Sequence, residues 1–176
     1  MKQLTQQAII RMINEDTWMM EALYAAKTLQ LPDWWICAGF VRSKIWDVLH
    51  DYKQRTPLQD IDVIYFDEQD IVEATEKRFE AIIRKIAPGY PWSVKNEARM
   101  HIANGIAPYR SSVDAIAKFP ETVTSLGLSL DRYDRVVLAA PHGINDCLKL
   151  TVRPTPFFLT DEKRMQVYYD CLVKKN

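Results

Sequence analysis

Two aspartates, one residue apart, stand at the start of an apolar run. Asp60 and Asp62 flank Ile61, and residues 63–66 are all apolar. Residues i and i+2 of a strand point to the same face, so the two carboxylates project side by side. A divalent cation would relieve their repulsion, and Mg²⁺ typically binds a few carboxylate oxygens together with water and phosphate. The pair is a candidate metal site; the alternative is a solvated pair that caps a loop.

A strand, a glycine and a helix are predicted just before this pair. Residues 34–40 (WWICAGF) indicate a buried strand that runs into a turn at Gly39, and the apolar spacing of residues 41–52 indicates a helix. Helix N-terminal amides and a residue without Cβ let phosphate groups approach closely. Arg42 and Ser43 stand in the first turn, where they could reach phosphate oxygens.

Hydrophobic periodicity predicts the elements that position these residues. Residues 4–29 form one or two amphipathic helices, with Asn14 or Asp16 as the break or cap between them. The pattern indicates a single α/β or α+β domain over residues 1–176, with a helical N-terminal segment (1–31), a core (about 32–157) and a C-terminal helical segment (158–176). Further strands are predicted at 61–66, 92–96 and 135–143. Further helices are predicted at 70–87 with Asp70 as N-cap, at 111–119 and at 168–173, and another is predicted to begin at 120–122.

Composition narrows the class of protein. The chain has 176 residues, and its 23 Lys plus Arg balance its 23 Asp plus Glu, so no overall attraction to long nucleic acid or to a membrane is expected. Three well-separated cysteines fit neither a disulfide framework nor a CxxC metal site. With no signal-peptide h-region and no apolar stretch near 20 residues, a cytoplasmic protein is expected. Common hydrolase and P-loop motifs are absent from the sequence.

Several long segments resemble one bacterial nucleotidyltransferase-like family. The order strand, glycine turn, helix, loop and Asp-x-Asp resembles the wider superfamily of the DNA polymerase β type. The resemblance covers roughly residues 32–157 and implies a small mixed β-sheet flanked by helices, with nucleotide and metal above the sheet. The segments that carry it are WWICAGFVRSKIWD (34–47), TPLQDIDVIYFD (56–67), WSVKNEARMH (92–101), PY.SS.DA...FPET (108–122) and LTVRPTP (150–156).

The resemblance implies roles for individual residues. Asp60 and Asp62 match the catalytic metal carboxylates, which would hold Mg²⁺ or Mn²⁺, and Gly39 matches the glycine turn. Phe40 stands where a second glycine or a serine is usual, so a hydroxyl must come from Ser43, or the backbone must serve instead. The nucleotide-binding set implied in this way is Gly39, Phe40, Arg42, Ser43, Lys95 and Arg99.

The superfamily also leads us to expect a third carboxylate about thirty residues later, within residues 91–101. Lys95 or Asn96 is predicted to face the metal there, and neither is acidic. Asn96 and Glu97 are candidates for a third polar ligand, and Asp67 and Asp114 are further acidic candidates. A lysine at this position could grip phosphate without transferring it.

Other polar residues are interpreted more simply. Lys95, Arg99 and His101 form a basic cluster that either neutralises a triphosphate or belongs to an ordinary solvated surface, with Arg110 a weaker member. His101 by itself is interpreted as structural. Residues 141–143 (PHG) favour a turn over a catalytic histidine, and Arg153 favours an ion pair that anchors a loop. The tryptophans at 34, 35, 46 and 92 are assigned to the core or to a pocket wall.

Three functions follow as hypotheses. The first is a metal-dependent nucleotidyltransferase that moves a nucleotidyl group from an NTP to a hydroxyl of a small molecule, a protein or an RNA end. The second is a non-catalytic nucleotide or metabolite binder on the same fold, suggested by the missing third acid. A third alternative is an interaction module in which the aspartates only cap a loop. The oligomeric state stays open.

Overall fold

One mixed β-sheet organises the computed structural model, which describes residues 4–174. Within those residues five strands pair in the order β3-β2-β1-β4-β5. Strands β2 and β3 are parallel, and the other pairs are antiparallel. This arrangement confirms the predicted small mixed sheet. The strands are β1 (Trp35–Cys37), β2 (Ile61–Tyr65), β3 (Trp92–Asn96), β4 (Gly127–Leu130) and β5 (Val136–Ala139).

Helices flank the sheet, as expected. The two predicted N-terminal helices are present, and the side chain of Asp16 caps the second by accepting the N–H of Met19 at 3.1 Å. The helices are α1 (Gln6–Asn14), α2 (Thr17–Thr28), α3 (Gly39–Leu49), α4 (Glu73–Ile86), α5 (Glu97–Asn104), α6 (Ser112–Ala117), α7 (Asn145–Leu148), α8 (Pro156–Leu159) and α9 (Glu162–Lys174).

The two faces of the sheet have different partners. Alternate residues of β2 and β3, such as Val63 and Val94, enter the main core together with side chains of α1–α4. The opposite face carries a smaller cluster that includes Cys37, Ile64 and Ile116, the last from α6. Because Asp62 and Ile64 are two residues apart on β2, both side chains lie on this second face. The candidate metal ligand is therefore directed away from the main core.

Some predicted elements are corrected by the structure. Helix α4 begins at Glu73 after the N-cap Val72, because Asp70 instead accepts hydrogen bonds from the Val72 N–H and the Thr75 hydroxyl. No helix begins at residues 120–122, where Glu121 pairs with Pro154 in an isolated β-bridge. Strand β4 and helices α5, α7 and α8 were not predicted. The ends of the predicted terminal segments, residues 1–3 and 175–176, lie outside the described residues.

The helices of the described residues have at most 14 residues, the length of α4. Within residues 4–174 none of them combines the length and the apolar character that crossing a bilayer requires.

Candidate functional site

The pairing of β1 with β2 brings the glycine turn to the aspartates. Cys37 is the antiparallel partner of Asp62, and its thiol donates to the Asp62 carbonyl at 3.6 Å. Because the strands run in opposite directions, the chain that leaves β1 at Gly39 passes the chain that enters β2 at Asp60. A Cβ placed on Gly39 would lie 3.9 Å from Leu58, just before the pair. The two predicted parts of the site therefore meet.

The turn between β1 and α3 takes its unusual conformation one residue earlier than predicted. Ala38 has φ 59° and ψ −123°, a conformation that a residue with a Cβ rarely adopts. Gly39 is the first residue of α3 and has no positive φ. A Cβ on Gly39 would meet its nearest atoms, on Arg42 and Leu58, at 3.8 and 3.9 Å, which are ordinary contacts. Neither the backbone conformation nor the packing of this turn requires glycine at position 39.

The first turn of α3 has free hydrogen-bond donors. The Ala38 carbonyl accepts the N–H groups of Val41 and Arg42, both at 3.1 Å. Among residues 4–174 the N–H groups of Gly39 and Phe40 have no acceptor, as is usual for the start of a helix. The Phe40 side chain is buried in the main core, with its ring 5.9 Å from that of Trp18. Phe40 can therefore contribute to a nucleotide site only through its backbone.

Arg42 supplies a cation beside these donors. Its Nη2 atom lies 3.8 Å from the Cβ position of Gly39, and its guanidinium lies 5.0 Å from the Trp46 ring centroid. Trp46 is fixed by a 3.0 Å bond from its Nε1 to the Cys147 carbonyl. No carboxylate in the described chain pairs with Arg42, and its buried Nε has no hydrogen-bond partner there. Ser43, four residues after Gly39 on the same helix face, is buried.

The aspartate pair has the electrostatics of a cation site. Burial, followed by the charge of Asp60, raises the pKa of Asp62 to about 6. Lys95 and a hydrogen bond from the Ser93 hydroxyl act in the opposite direction without cancelling the rise. A bound divalent cation would supply the missing positive charge, so the donor set fits Mg²⁺ or Mn²⁺. Within residues 4–174 no three His, Cys, Asp or Glu side chains form a group that could hold a metal, which leaves two carboxylates as candidate ligands.

The residue beside this pair on the next strand is Ser93. The parallel register places Ser93 opposite Asp62 and Lys95 opposite Ile64. Lys95, two residues after Ser93, lies on the same face of the sheet as Asp62, whereas Asn96 lies on the opposite, buried face. Nothing in the sequence marks Ser93, since register between parallel strands depends on long-range packing. The side chain beside Asp62 is a hydroxyl, not the third carboxylate expected of the superfamily.

Asn96 has a structural role that the sequence did not reveal. Its Nδ2 donates to the carbonyls of Asp67 and Asp70, both at 2.8 Å. Its Oδ1 accepts the N–H groups of Asp67 at 3.0 Å and Ala98 at 3.1 Å. The amide group is fully occupied and lies on the core side of the sheet, so Asn96 is not a candidate ligand.

Two further acidic candidates are also engaged elsewhere. Asp67 accepts the N–H of Gln69 at 2.9 Å. Asp114 accepts the N–H of Arg110 and the ammonium of Lys118, both at 3.0 Å. Both carboxylates hold local structure, so neither replaces the third acid.

Glu97 is the remaining acid near the pair. It is the first residue of α5, directly after β3, and only 7% of it is exposed. Burial, followed by the charges of Glu76 and Asp62, raises the pKa of Glu97 to about 7. Its carboxylate forms no hydrogen bond with the part of the chain that the structure describes, and Glu97 lines a cavity. Glu97 thus lies within electrostatic reach of Asp62 without completing a metal cluster.

The comparisons with known proteins agree with this geometry. A family model described as "Nucleotidyltransferase" matches residues 24–176. The chain belongs to this nucleotidyltransferase family. It is similar to a solved structure titled "The NMR structure of the protein reveals a CCA-adding enzyme head domain", with 38% identity over 99% of this chain and 92% of that one, and a TM-score of 0.87. No curated protein gave a match.

The basic cluster of this nucleotidyltransferase is only partly available to a ligand. Arg99 donates from Nε and Nη2 to the two oxygens of Glu76, each at 2.9 Å. That bidentate pair occupies the guanidinium, which was predicted to bind nucleotide. The Lys95 ammonium lies 3.9 Å from Glu76, and about a third of its side chain is exposed. Lys95 also lowers the pKa of Asp62, so it remains a candidate for phosphate contact.

The residues that were predicted to have structural roles contact nearby parts of the chain. The His142 ring bonds to the Ala117 carbonyl at 2.7 Å, and Gly143 has φ 73°, which confirms the turn. Arg153 lies 3.8 Å from Asp146 and forms the expected loop ion pair. Among the tryptophans, Trp92 is buried and donates to the Ala87 carbonyl at 2.8 Å.

Proposed function

We propose that this nucleotidyltransferase binds a nucleoside triphosphate with Mg²⁺ or Mn²⁺ and moves the nucleotidyl group to an acceptor hydroxyl. The observation that supports this most is the register of β1 and β2. It brings the free N–H donors of Gly39 and Phe40 and the unpaired Arg42 next to Asp60 and Asp62. Donors for phosphate oxygens and carboxylates for a cation at one place match the needs of a metal-bound triphosphate.

Each residue has a role in this proposal. Asp60 and Asp62 would hold the cation, which when bound supplies Lewis-acid polarisation of the α-phosphate. The Gly39 and Phe40 amides and the Arg42 guanidinium would hold the phosphates that leave as pyrophosphate. The acceptor oxygen forms a bond to the α-phosphorus while the bridging bond to the β-phosphate breaks. The hydroxyl proton passes to solvent.

A non-catalytic nucleotide binder is the second candidate. Ser93 at the strand position beside Asp62 supports it, because a hydroxyl does not take a proton as a third carboxylate would. This candidate uses the same phosphate donors and the same two metal carboxylates. It differs from the first in predicting binding without turnover.

Asparagine variants of the two aspartates test the proposal. Asp60→Asn and Asp62→Asn keep side-chain size and remove the charge, while Asp51→Asn, at an exposed aspartate paired with Lys53, is the matched control. Mn²⁺ affinity is measured by paramagnetic resonance, NTP affinity by calorimetry, and turnover by pyrophosphate release. We expect each site variant to lose metal-dependent NTP binding and pyrophosphate release, and the control to keep both.

Three outcomes separate the candidates. Pyrophosphate release by the unmodified protein, lost in both site variants, supports the enzyme. Tight metal-dependent NTP binding without release from any acceptor class supports the binder. If millimolar NTP and Mn²⁺ bind neither the unmodified protein nor its variants, both candidates fail, and the aspartates only shape a loop.

A further inference from the structure

A cavity lies on the Glu97 side of the candidate site. It has a volume of about 590 Å³ and is lined by residues of α5, α8 and α9 and of the loops that follow α5 and α6. Cavities of this size typically hold small organic ligands. Its wall carries the rings of Tyr109, Phe119 and Phe157, and its charged lining residues are Lys118, Lys163, Arg164, Glu97 and Asp161.

Two wall residues connect the cavity to the sheet face that carries Asp62. Glu97 lines the cavity and directly follows β3, the strand that pairs with β2 along Asp62. Phe119 lines the cavity and also packs on the cluster that contains Ile64, two residues beyond Asp62 on the same face. Two residues of the cavity wall therefore lie next to the sheet face that carries Asp62.

The strand register shows where the glycine turn and the cavity lie along β2. Gly39 adjoins the start of β2 at Asp60, because β1 and β2 are antiparallel. Asn96 adjoins the end of β2 at Tyr65, because β3 and β2 are parallel, and Glu97 follows it. The phosphate donors of α3 and the cavity thus lie on opposite sides of the aspartate pair.

This order matters for transfer to an acceptor. In phosphoryl-type transfer the attacking and leaving oxygens lie roughly in line across the phosphorus. If pyrophosphate leaves toward Gly39 and Arg42, the attacking hydroxyl comes from the cavity side.

The charged side chains of the cavity indicate which kind of ligand it can bind. The Arg164 guanidinium lies 3.8 Å from the Phe157 ring centroid, and its Nη1 donates to the Phe157 carbonyl and the Thr160 hydroxyl, at 3.3 and 3.2 Å. No carboxylate of the described residues forms an ion pair with Arg164, so an anion can approach it. The Lys118 ammonium lies 5.5 Å from Tyr109 and 5.7 Å from Phe157, with Asp114 as its ion-pair partner. Rings held beside an uncompensated guanidinium suit a planar group that carries a negative charge.

We propose that this cavity binds the acceptor, and that the acceptor is a small molecule with a planar apolar group, an anionic group and a hydroxyl directed toward Asp62. Its role as acceptor rests on the proposed function. The binding of a planar anion does not.

Anilinonaphthalene sulfonate is a suitable probe, since it combines a planar naphthalene ring with an anionic sulfonate and fluoresces when bound. Its affinity is measured for the full chain with and without saturating Mg²⁺ and a non-hydrolysable NTP, and its position by amide shifts in nuclear magnetic resonance. Arg164→Leu is the test variant. Arg132→Leu is the matched control, because Arg132 also stacks on a ring, at 4.6 Å from Tyr133, in the turn between β4 and β5.

The proposal expects the probe to shift amides around Met100, Lys118 and Phe157, and to bind whether or not the NTP is present. Arg164→Leu should weaken probe binding about tenfold, the usual effect of losing one charge-assisted contact, with Arg132→Leu unchanged. No binding, or amide shifts elsewhere, overturns the proposal. Competitive displacement by Mg²⁺·NTP assigns the cavity to the nucleotide and also overturns it, as does displacement by a short oligoribonucleotide, which assigns it to an RNA end. If the NTP itself does not bind while the probe does, the proposed function fails and the anion site stands.

Discussion

The Glu76 carboxylate accepts the backbone N–H of Asn96 at 2.9 Å, on the outer edge of the sheet. Glu80, one helical turn later, accepts the N–H of Val94 at 3.1 Å, and Arg84 donates to the Trp92 carbonyl at 2.7 Å. Four helical residues rise about 6 Å and two strand residues about 6.6 Å, so the side chains of α4 stay in step with the edge strand. They satisfy the groups that a neighbouring strand would otherwise bind.

Glu76→Gln should destabilise the protein strongly. Glu76 is fully buried and also holds Arg99, so the neutral amide leaves a largely buried guanidinium without its counter-charge. We expect the free energy of unfolding to fall by about 3 kcal/mol. Urea unfolding measures it, with Glu73→Gln, exposed on the same helix, as a control that should change by less than about 0.5 kcal/mol. Equal effects of the two substitutions would show that the edge contact carries no special stability.

Asp16→Asn should lower stability in a pH-dependent way. Burial raises the pKa of Asp16, but hydrogen bonds from Arg55 and Lys44 outweigh it and hold the pKa below 3.8. The folded pKa is depressed, so the stabilisation is present above pH 3.8 and is lost as pH falls through the folded pKa. Asparagine keeps the helix cap, so only the ion pairs are removed.

The expected loss for Asp16→Asn at pH 7 is about 2 kcal/mol, and it should shrink below pH 4. Denaturant unfolding at pH 7 and pH 3 measures both values. Asp134→Asn is the control, because Asp134 pairs with Lys27 at the exposed surface and should cost less than about 1 kcal/mol. A loss that is equal at both pH values would contradict the ion-pair explanation.

Local signals explain what the sequence predicted correctly. The apolar run at 61–66, the strand at 92–96 and the order of strand, glycine and helix depend on neighbouring residues, and all three are present. Strand β4 was missed because all four of its residues are buried, so it lacks the alternation of a half-exposed strand.

Long-range packing determines the parts of the site that the sequence left open. The neighbour of Asp62 depends on the register of β2 against β3, which the composition of residues 92–97 does not encode. Arg99 could not be assigned from sequence, because its partner Glu76 lies 23 residues away on another helix. The positive φ of Ala38 is unfavourable for alanine, and it could not be predicted because the sequence does not give backbone angles.

Arg42→Met should weaken binding of Mg²⁺·NTP at least tenfold with little loss of stability. Methionine keeps much of the side-chain volume against Trp46 and removes a cation that has no carboxylate partner within residues 4–174. Calorimetry with a non-hydrolysable NTP measures the affinity. Arg78→Met is the control, since Arg78 stacks on Phe79 at 5.7 Å on the distant helix α4. Unchanged affinity in Arg42→Met would remove Arg42 from the phosphate site.

Ala38→Gly should raise stability by about 1 kcal/mol. Relief of the strained backbone conformation gains about 1–3 kcal/mol, and the greater unfolded-state freedom of glycine offsets about 0.5–1 kcal/mol of it. Thermal unfolding measures the change. Ala74→Gly, on the exposed face of α4, should lower stability by about 1 kcal/mol and shows the cost of glycine where no strain is relieved. A loss of stability in Ala38→Gly would mean that alanine is relaxed in this turn.

Gly39→Ala should separate stability from ligand binding. The new Cβ meets its nearest atoms at 3.8 Å or more, and alanine favours a helix, so the free energy of unfolding should stay equal or rise by up to about 1 kcal/mol. The same methyl group would stand where a phosphate approaches the first turn of α3, so affinity for Mg²⁺·NTP should fall at least tenfold. Gly89→Ala, where a Cβ meets no atom within 4 Å, is the control and should leave affinity unchanged. If Gly39→Ala binds the NTP as tightly as the unmodified protein, the phosphates do not lie on this turn, and Arg42 must hold them from the side.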